Sequence, residues 1–316
     1  MAASGEAVVF ERAMIFVHEG KAAYPDVRAC MDYFSDRFEV REATPEQALA
    51  MPDVGRAICW HMMGLYPRRL PCALTIHDYR SLSVGRGRRV KDLVKRLVNA
   101  RPDIRIFQNE AIRRALGFQI NTSSLYLPMG VPSDFVASRT LVVPTSTDFI
   151  YIGSMLAERR CERMIDSFLK HFGETRQFEL YGPPNPELEA RYYGRDNIRF
   201  RGMIAQADLP HALKGARVGV NFFPNHYPHV LQTPTKLLEY GALGMRILCN
   251  EHPQSRLTAQ QYGLSCRWGA IEDLFAEVPQ ALDWADNLAV DPVAMEWPAV
   301  IRASGIEQLL TQRLGD

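Results

Sequence analysis

The segment of this sequence best suited to chemistry is Gln232 to Gly244, QTPTKLLEYGALG. Thr233 is a good helix N-cap, and Pro234 suits the first helical position. A helix begun there presents unsatisfied N–H groups and the positive end of its dipole, which favours a phosphate. Lys236 in the first turn, next to Thr235, adds a full charge. One turn further, an ionised Glu239 can accept hydrogen bonds from two ribose hydroxyls. Gly241 leaves room for another backbone or a ligand, and Gly244 fits a helix C-terminus. A solvated lysine–glutamate pair at i,i+3 on an amphipathic helix would account for the same residues.

Other chemistries lack their patterns. No G-x-G-x-x-G follows a strand-like run, and Gly85-Arg86-Gly87 lies after a polar loop, which disfavours a nicotinamide-dependent dehydrogenase. No D-x-D follows a strand in a suitable place. The six cysteines are scattered singly, several within apolar runs, and read as reduced, buried thiols rather than a disulfide framework or zinc site. No metal is expected.

The elements that would position these groups are short apolar runs alternating with helix-period segments. The runs are 13–17, 57–60, 72–77, 104–108 and 124–128 in the first half. In the second half they are 148–153, 178–182, 198–202, 218–223 and 246–250. This alternation predicts βαβ units and parallel sheets. It restarts after a Pro- and Thr-rich stretch, Leu141 to Asp148, so two Rossmann-like, doubly wound α/β domains are expected, 1–145 and 146–316. A final helix is predicted from about Trp297 to Leu314, either packing back on the first domain or lying on the surface. A length of 316 residues suits two cores.

With 47% hydrophobic and 23% charged residues, the profile is globular. Net charge is +1, with a basic first half and an acidic second half. Basic and aromatic residues are not interleaved along an extended track, so nucleic acid is not expected as a partner. No apolar run approaches the roughly 20 residues needed to span a bilayer. Met1 to Phe10 lacks the pattern of a secretory signal, so a cytoplasmic location is expected.

Around 86–105, Val90, Leu93, Val94, Leu97 and Val98 share one helical face, with Arg88, Arg89, Lys91, Lys95 and Arg96 elsewhere. Such a basic amphipathic helix either buries its apolar face on the first sheet or docks peripherally on an anionic membrane, here the inner face of the cell membrane.

PTKLLEYGALGMRIL (234–248) closely resembles the P-x-K-x-x-E-Y-x-A-x-G-x-P-V-I stretch in the C-terminal domain of GT-B glycosyltransferases, most closely the retaining family-4 group. FIYIGSMLAERR, FELYGPP, NIRFRGMI, DLPHALKGARVGVNFFP and MEWPAVI follow that family's running order. LTIHDYRS, FQNE and LPMGVPSDF match the first half more loosely, so the resemblance covers about residues 57–310.

The resemblance implies two domains facing a cleft, a nucleotide-sugar donor (UDP- favoured over GDP-) and a glycan or lipid-linked acceptor of bacterial surface polysaccharide synthesis. Arg159 and Arg160, then Arg163, are candidates for the donor diphosphate, joined by Lys236 and Thr235, with Glu239 on the ribose. His77 matches the histidine that faces the donor sugar, and Asp78 follows it; both are candidate catalytic groups. His18, Glu19 and Gly20, running into Lys21, occupy the place of the acceptor-side loop. A plain turn explains this last group equally well, and a satisfied core histidine would explain His77. Many members carry another glutamate about eight positions before the ribose-binding one. Here that position is Leu231, which leaves His229 and Gln232 as candidate donor-sugar contacts. Alternative functions are a nucleotide-sugar epimerase and a non-catalytic sugar-nucleotide-binding protein.

Overall fold

A computed structural model of the chain describes residues 12–20, 25–62, 64–119 and 122–315. The chain divides into two compact units, residues 1–128 with 300–316, and residues 129–299. The composition had suggested a break near 145. The contacts place it earlier because 129–140 belongs to the second unit. Val131 bridges Glu296, and Gly130 lies so close to Trp297 that a β-carbon there would fall 2.9 Å from the indole. Arg139 donates hydrogen bonds to the carbonyls of Gly241, Ala242, Asn287, Leu288 and Val290. A cation at the C-terminal end of the helix Thr235–Ala242 also complements its dipole.

The first unit is built on six parallel strands: β1 Ala13–Val17, β2 Glu39–Ala43, β3 Ile58–Met62, β4 Leu74–Tyr79, β5 Ile104–Phe107 and β6 Ser123–Tyr126. They are ordered β2-β1-β3-β4-β5-β6. The central strands are buried on both faces, as expected of a parallel sheet covered by helices. The second sheet contains β7 Thr147–Ile152, β8 Phe178–Tyr181, β9 Ile198–Gly202, β10 Ala216–Asn221, β11 Arg246–Asn250 and β12 Arg267–Gly269. Its order is β12-β11-β10-β7-β8-β9, again all parallel. Phe149, Phe168, Phe178 and Phe275 fill the core beside β7, with ring centroids 5.1–6.2 Å apart. Truncating one of these rings would cost about 3–5 kcal/mol.

All ten expected strands form, with small shifts at their ends. β2 and β12, each at one edge of its sheet, were not foreseen: EVREA is mostly charged and RWG is three residues long. The final helix is broken into Trp297–Ala303 and Ile306–Leu314 by Ser304-Gly305, with Gly305 in the left-handed region at φ +77. Residues 300–316 belong to the first unit, where Arg313 donates to the Ser123 hydroxyl and Arg37 pairs with Glu307.

The basic helix forms as Arg88–Val98, but its apolar face is not buried on the sheet. Val90, Leu93, Val94, Leu97 and Val98 are exposed, and Asp92 is its buried residue. All six cysteines are free thiols, four buried and two partly buried. Among the described residues, no helix is long and apolar enough to cross a membrane.

Candidate functional site

In the second unit the chain runs outward from β7 through β8 to β9, then returns to place β10 on the other side of β7. Loops leaving the carboxyl ends of β7 and β10 therefore diverge, and in open α/β sheets such a switch point is where ligands bind. Ser154–Arg160 and Phe222–Pro234 are those two loops. They are joined by His226 Nε2, 2.9 Å from the carbonyl of Glu158, and by His229 Nε2, 3.6 Å from the Glu158 carboxylate.

Lys236, Thr235 and Glu239 all lie on the helix Thr235–Ala242. The helix starts one residue later than expected: Pro234 is the N-cap and Thr235 the first helical residue. A proline cap has no side-chain oxygen to offer the first turn. Lys236 is not the solvated partner of Glu239. It is 7% exposed, with Nζ 4.0 Å from the Tyr151 ring centroid and donating to the Phe222 carbonyl at 3.4 Å. Burial, and secondarily the positive charge of Arg159, bring its pKa down to about 7. Glu239 lies a turn along on the pocket wall, and burial pushes its carboxyl up to about 7 against the opposing pull of Lys236. Such shifts cost stability and are concentrated at functional sites.

Of the three arginines after β7, Arg159 is the one brought to this place. Its guanidinium lies 4.8 Å from the centroid of Phe223, whose ring is also near Lys236 Nζ. Arg159 Nη1 is buried without a hydrogen-bond partner. Arg160 is exposed and adopts a left-handed conformation at φ 52, capping the helix Cys161–Phe172, and Arg163 lies within that helix. His229 is buried, with Nδ1 3.1 Å from Gln232 Oε1, and burial followed by Arg159 lowers its pKa. Together Arg159, Lys236, His229 and Gln232 make a partly buried, donor-rich corner suited to an oxyanion.

Beside it opens a pocket of ≈ 300 Å3, lined by Ile152, Gly153, Ser154, Tyr181, Gly182, Pro183, Met203, Ile204, Leu209, Thr235, Lys236 and Glu239. Two glycines whose importance the sequence alone did not signal make this pocket possible. A β-carbon on Gly182 would sit 2.0 Å from the Gly153 carbonyl, and one on Gly153 would sit 3.3 Å from Lys236 Nζ. Both end strand-like runs (FIYIG, FELYG), which was the available signal. Gly241 has a different role from the one expected. Its missing side chain accommodates Leu264, whose Cδ2 would lie 2.5 Å from a β-carbon, so it serves packing and not a ligand. Gly244 does end the helix, at φ +72.

In the first unit, His77 and Asp78 lie within the interior. His77 is 2% exposed, with ring centroids 5.2 Å from His61 and 5.7 Å from Tyr66, and Nδ1 3.3 Å from the Tyr79 hydroxyl. Burial, then His61, holds its pKa well below the ordinary value. Asp78 accepts from Trp60 Nε1 and Arg80 Nε at 3.0 and 3.1 Å, and Arg80 also pairs with Asp26. Both side chains are thus buried, His77 among aromatic rings and Asp78 in an ion network with Arg80 and Asp26. His61 went unnoticed in the sequence; it is buried with both ring nitrogens unpartnered, and burial lowers its pKa to about 4. His18 closes a turn at the end of β1, accepting from the Gly20 N–H at 3.1 Å with Nε2 3.2 Å from Glu42. Gly20 takes φ +67, Glu19 is exposed, and Lys21 lies outside the described residues. Among the described residues, no group of three or more His, Cys, Asp or Glu side chains is placed to hold a metal.

No protein-family model matches the sequence, and no curated protein sequence matches it. Solved structures do. AviGT4, a glycosyltransferase involved in avilamycin A biosynthesis, superposes with a TM-score of 0.62 at 13% identity over 96% of this chain and 98% of its own. Anabaena HepE in complex with UDP and glucose gives 0.58 at 12% identity, over 96% and 95% of the two chains. The UDP-GlcNAc 2-epimerase of Methanocaldococcus jannaschii gives 0.52 at 9% identity, over 95% and 99%. The fold is that of the GT-B glycosyltransferases, with two six-stranded parallel sheets flanked by helices.

Proposed function

We propose that this chain is a cytoplasmic glycosyltransferase that takes a sugar from a nucleoside-diphosphate donor, UDP- before GDP-, and delivers it to a glycan or lipid-linked acceptor. The product would be a bacterial surface polysaccharide. The observation that carries the reading is the buried, unpartnered Arg159 Nη1 next to Lys236, at a proline-capped helix N-terminus beside a pocket. A diphosphate supplies the acceptors this corner lacks. Glu239, one turn further along, would hold the ribose, and the slot between Tyr181–Pro183 and Met203–Ile204 would take the base. HepE, of the same fold, was solved with UDP and glucose.

In the reaction, the anomeric C–O bond to the diphosphate breaks and a bond from the acceptor hydroxyl forms. Arg159, Lys236 and the helix N-terminus are preorganised to stabilise charge on the departing diphosphate without a metal ion. We favour a retaining course, in which the leaving diphosphate takes the acceptor proton. With leucine at 231, His229 and Gln232 would contact the donor sugar, and His18, Glu19 and Gly20 would lie on the acceptor side.

The test is a thermal-shift screen against UDP-, GDP-, dTDP- and CMP-sugars, repeated on Glu239→Ala. A ligand at 100 times its Kd adds about 2.7 kcal/mol. One nucleotide class should shift the protein and fail to shift the variant; no shift with any class would remove the reading. The likeness to an epimerase keeps a second activity in view. Epimerisation of the donor without acceptor would establish it, whereas acceptor-dependent release of nucleoside diphosphate would establish transfer.

A further inference from the structure

The helix Arg88–Val98 is built inside out. Facing the fold are Arg88, Asp92, Lys95 and Asn99, at i, i+4, i+7 and i+11. Asp92 is buried, accepts from the Ser83 N–H at 3.0 Å and pairs with Lys95. Asn99, the C-cap, accepts from the Tyr66 N–H and donates to the Gly64 carbonyl and the Tyr79 hydroxyl. These polar bonds hold the helix in place, and the opposite face is apolar. Val90, Leu93, Val94 and Leu97 stand at i, i+3, i+4 and i+7 and are 63%, 49%, 37% and 71% exposed, extended by Val84 and Val98. A soluble domain ordinarily turns such a stripe inward.

We propose that this face docks on an anionic lipid bilayer, with the helix lying in the plane of the headgroups. The exposed charged side chains flanking the stripe are Arg86, Arg89, Lys91 and Arg96, all basic, and the segment's acidic residue, Asp92, is buried. Apolar residues set between cations, on a helix of low overall hydrophobicity, are the composition of an interfacial helix. Basic side chains near an anionic surface add attraction that falls away with salt. A second copy fits this face less well, because a two-fold contact between identical helices would set these cations against each other. The inference is independent of the transferase reading, since none of the nucleotide-site residues takes part.

The full chain would be sedimented with vesicles of phosphatidylcholine alone or containing phosphatidylglycerol, at low and high salt. Binding is expected to the anionic vesicles at low salt, weakened in high salt and weak on neutral ones. Leu93→Ser with Leu97→Ser should reduce it about tenfold or more. The circular dichroism melt should be unchanged, because both side chains are already exposed. A charge-reversed variant, Arg89→Glu with Lys91→Glu, should lose the preference for anionic lipid. Failure to bind anionic vesicles at low salt, or undiminished binding by the serine variant, would overturn the proposal. So would a dimer that the serine variant converts to a monomer while vesicles bind neither form.

Discussion

Lys236 and Glu239 sit where neither would ionise readily without a ligand, and this sets the expected pH behaviour of the site. Glu239 is held up to about 7, so below that pH it is a neutral acid, a poor acceptor for two ribose hydroxyls. Lys236 is held down to about 7, so above that pH it has lost the charge a diphosphate needs. Nucleotide affinity measured by calorimetry should therefore peak near neutrality and fall on both sides. Glu239→Gln should flatten the acid limb and Lys236→Met the alkaline limb. The lysine also has a stability consequence. Its pKa is lower folded than unfolded, so at neutral pH the folded state carries a charging cost that methionine would not. Lys236→Met should raise the melting temperature of the free protein by a few degrees, about 1–3 kcal/mol, while abolishing the shift caused by nucleotide. A lower melting temperature for Lys236→Met would show that the ammonium is stabilising instead.

Individual elements differ in how far the sequence revealed them. The central strands could be located because burial on both faces demands continuous apolar runs, as in AMIFV and TDFIYI. β2 escaped because EVREA carries too little apolar character, and β12 because three residues are too few to show a pattern. The helix Thr235–Ala242 was readable from proline, lysine and glutamate spacing, which local chemistry dictates. That Lys236 is buried, and that Arg159 rather than Arg160 faces it, depends on tertiary packing that no local pattern carries. For His77 and Asp78 the register was visible, but not the rings and ion network that pack against them. The loops after β7 and β8 meet at one point, and Gly182→Ala tests how much that closeness matters. Its methyl group would overlap the Gly153 carbonyl, so the loops must separate. A loss of about 1–3 kcal/mol in a denaturant melt is expected, together with weakened nucleotide binding. Unchanged binding would place the nucleotide away from this pocket.

The whole molecule consists of two units, and every residue assigned to the nucleotide belongs to one of them, 129–299. That unit contains its own six-stranded sheet and phenylalanine core. Expressed alone as residues 129–299, it should fold and bind the nucleotide that the full chain binds, with an affinity within about tenfold. Removing 300–316 from the full chain should have a different effect. Ile301, Ile306 and Leu310 are buried, so the first unit should lose stability in a two-transition melt while the nucleotide-stabilised transition stays in place.

Arg139 has a consequence for the covalent continuity of the chain. Just after it, residues 141–146 run across the surface, with Val142 almost wholly exposed at 96%, before β7 begins. This is where a protease would find an unprotected backbone. Yet a cut there would free neither end. On one side the severed chain is held by a guanidinium bound to five carbonyls, and on the other it enters the middle of a sheet. Nicked protein should thus run as two bands on a denaturing gel and elute as one species from a sizing column. The same two pieces, made separately, would be the natural halves of a split protein.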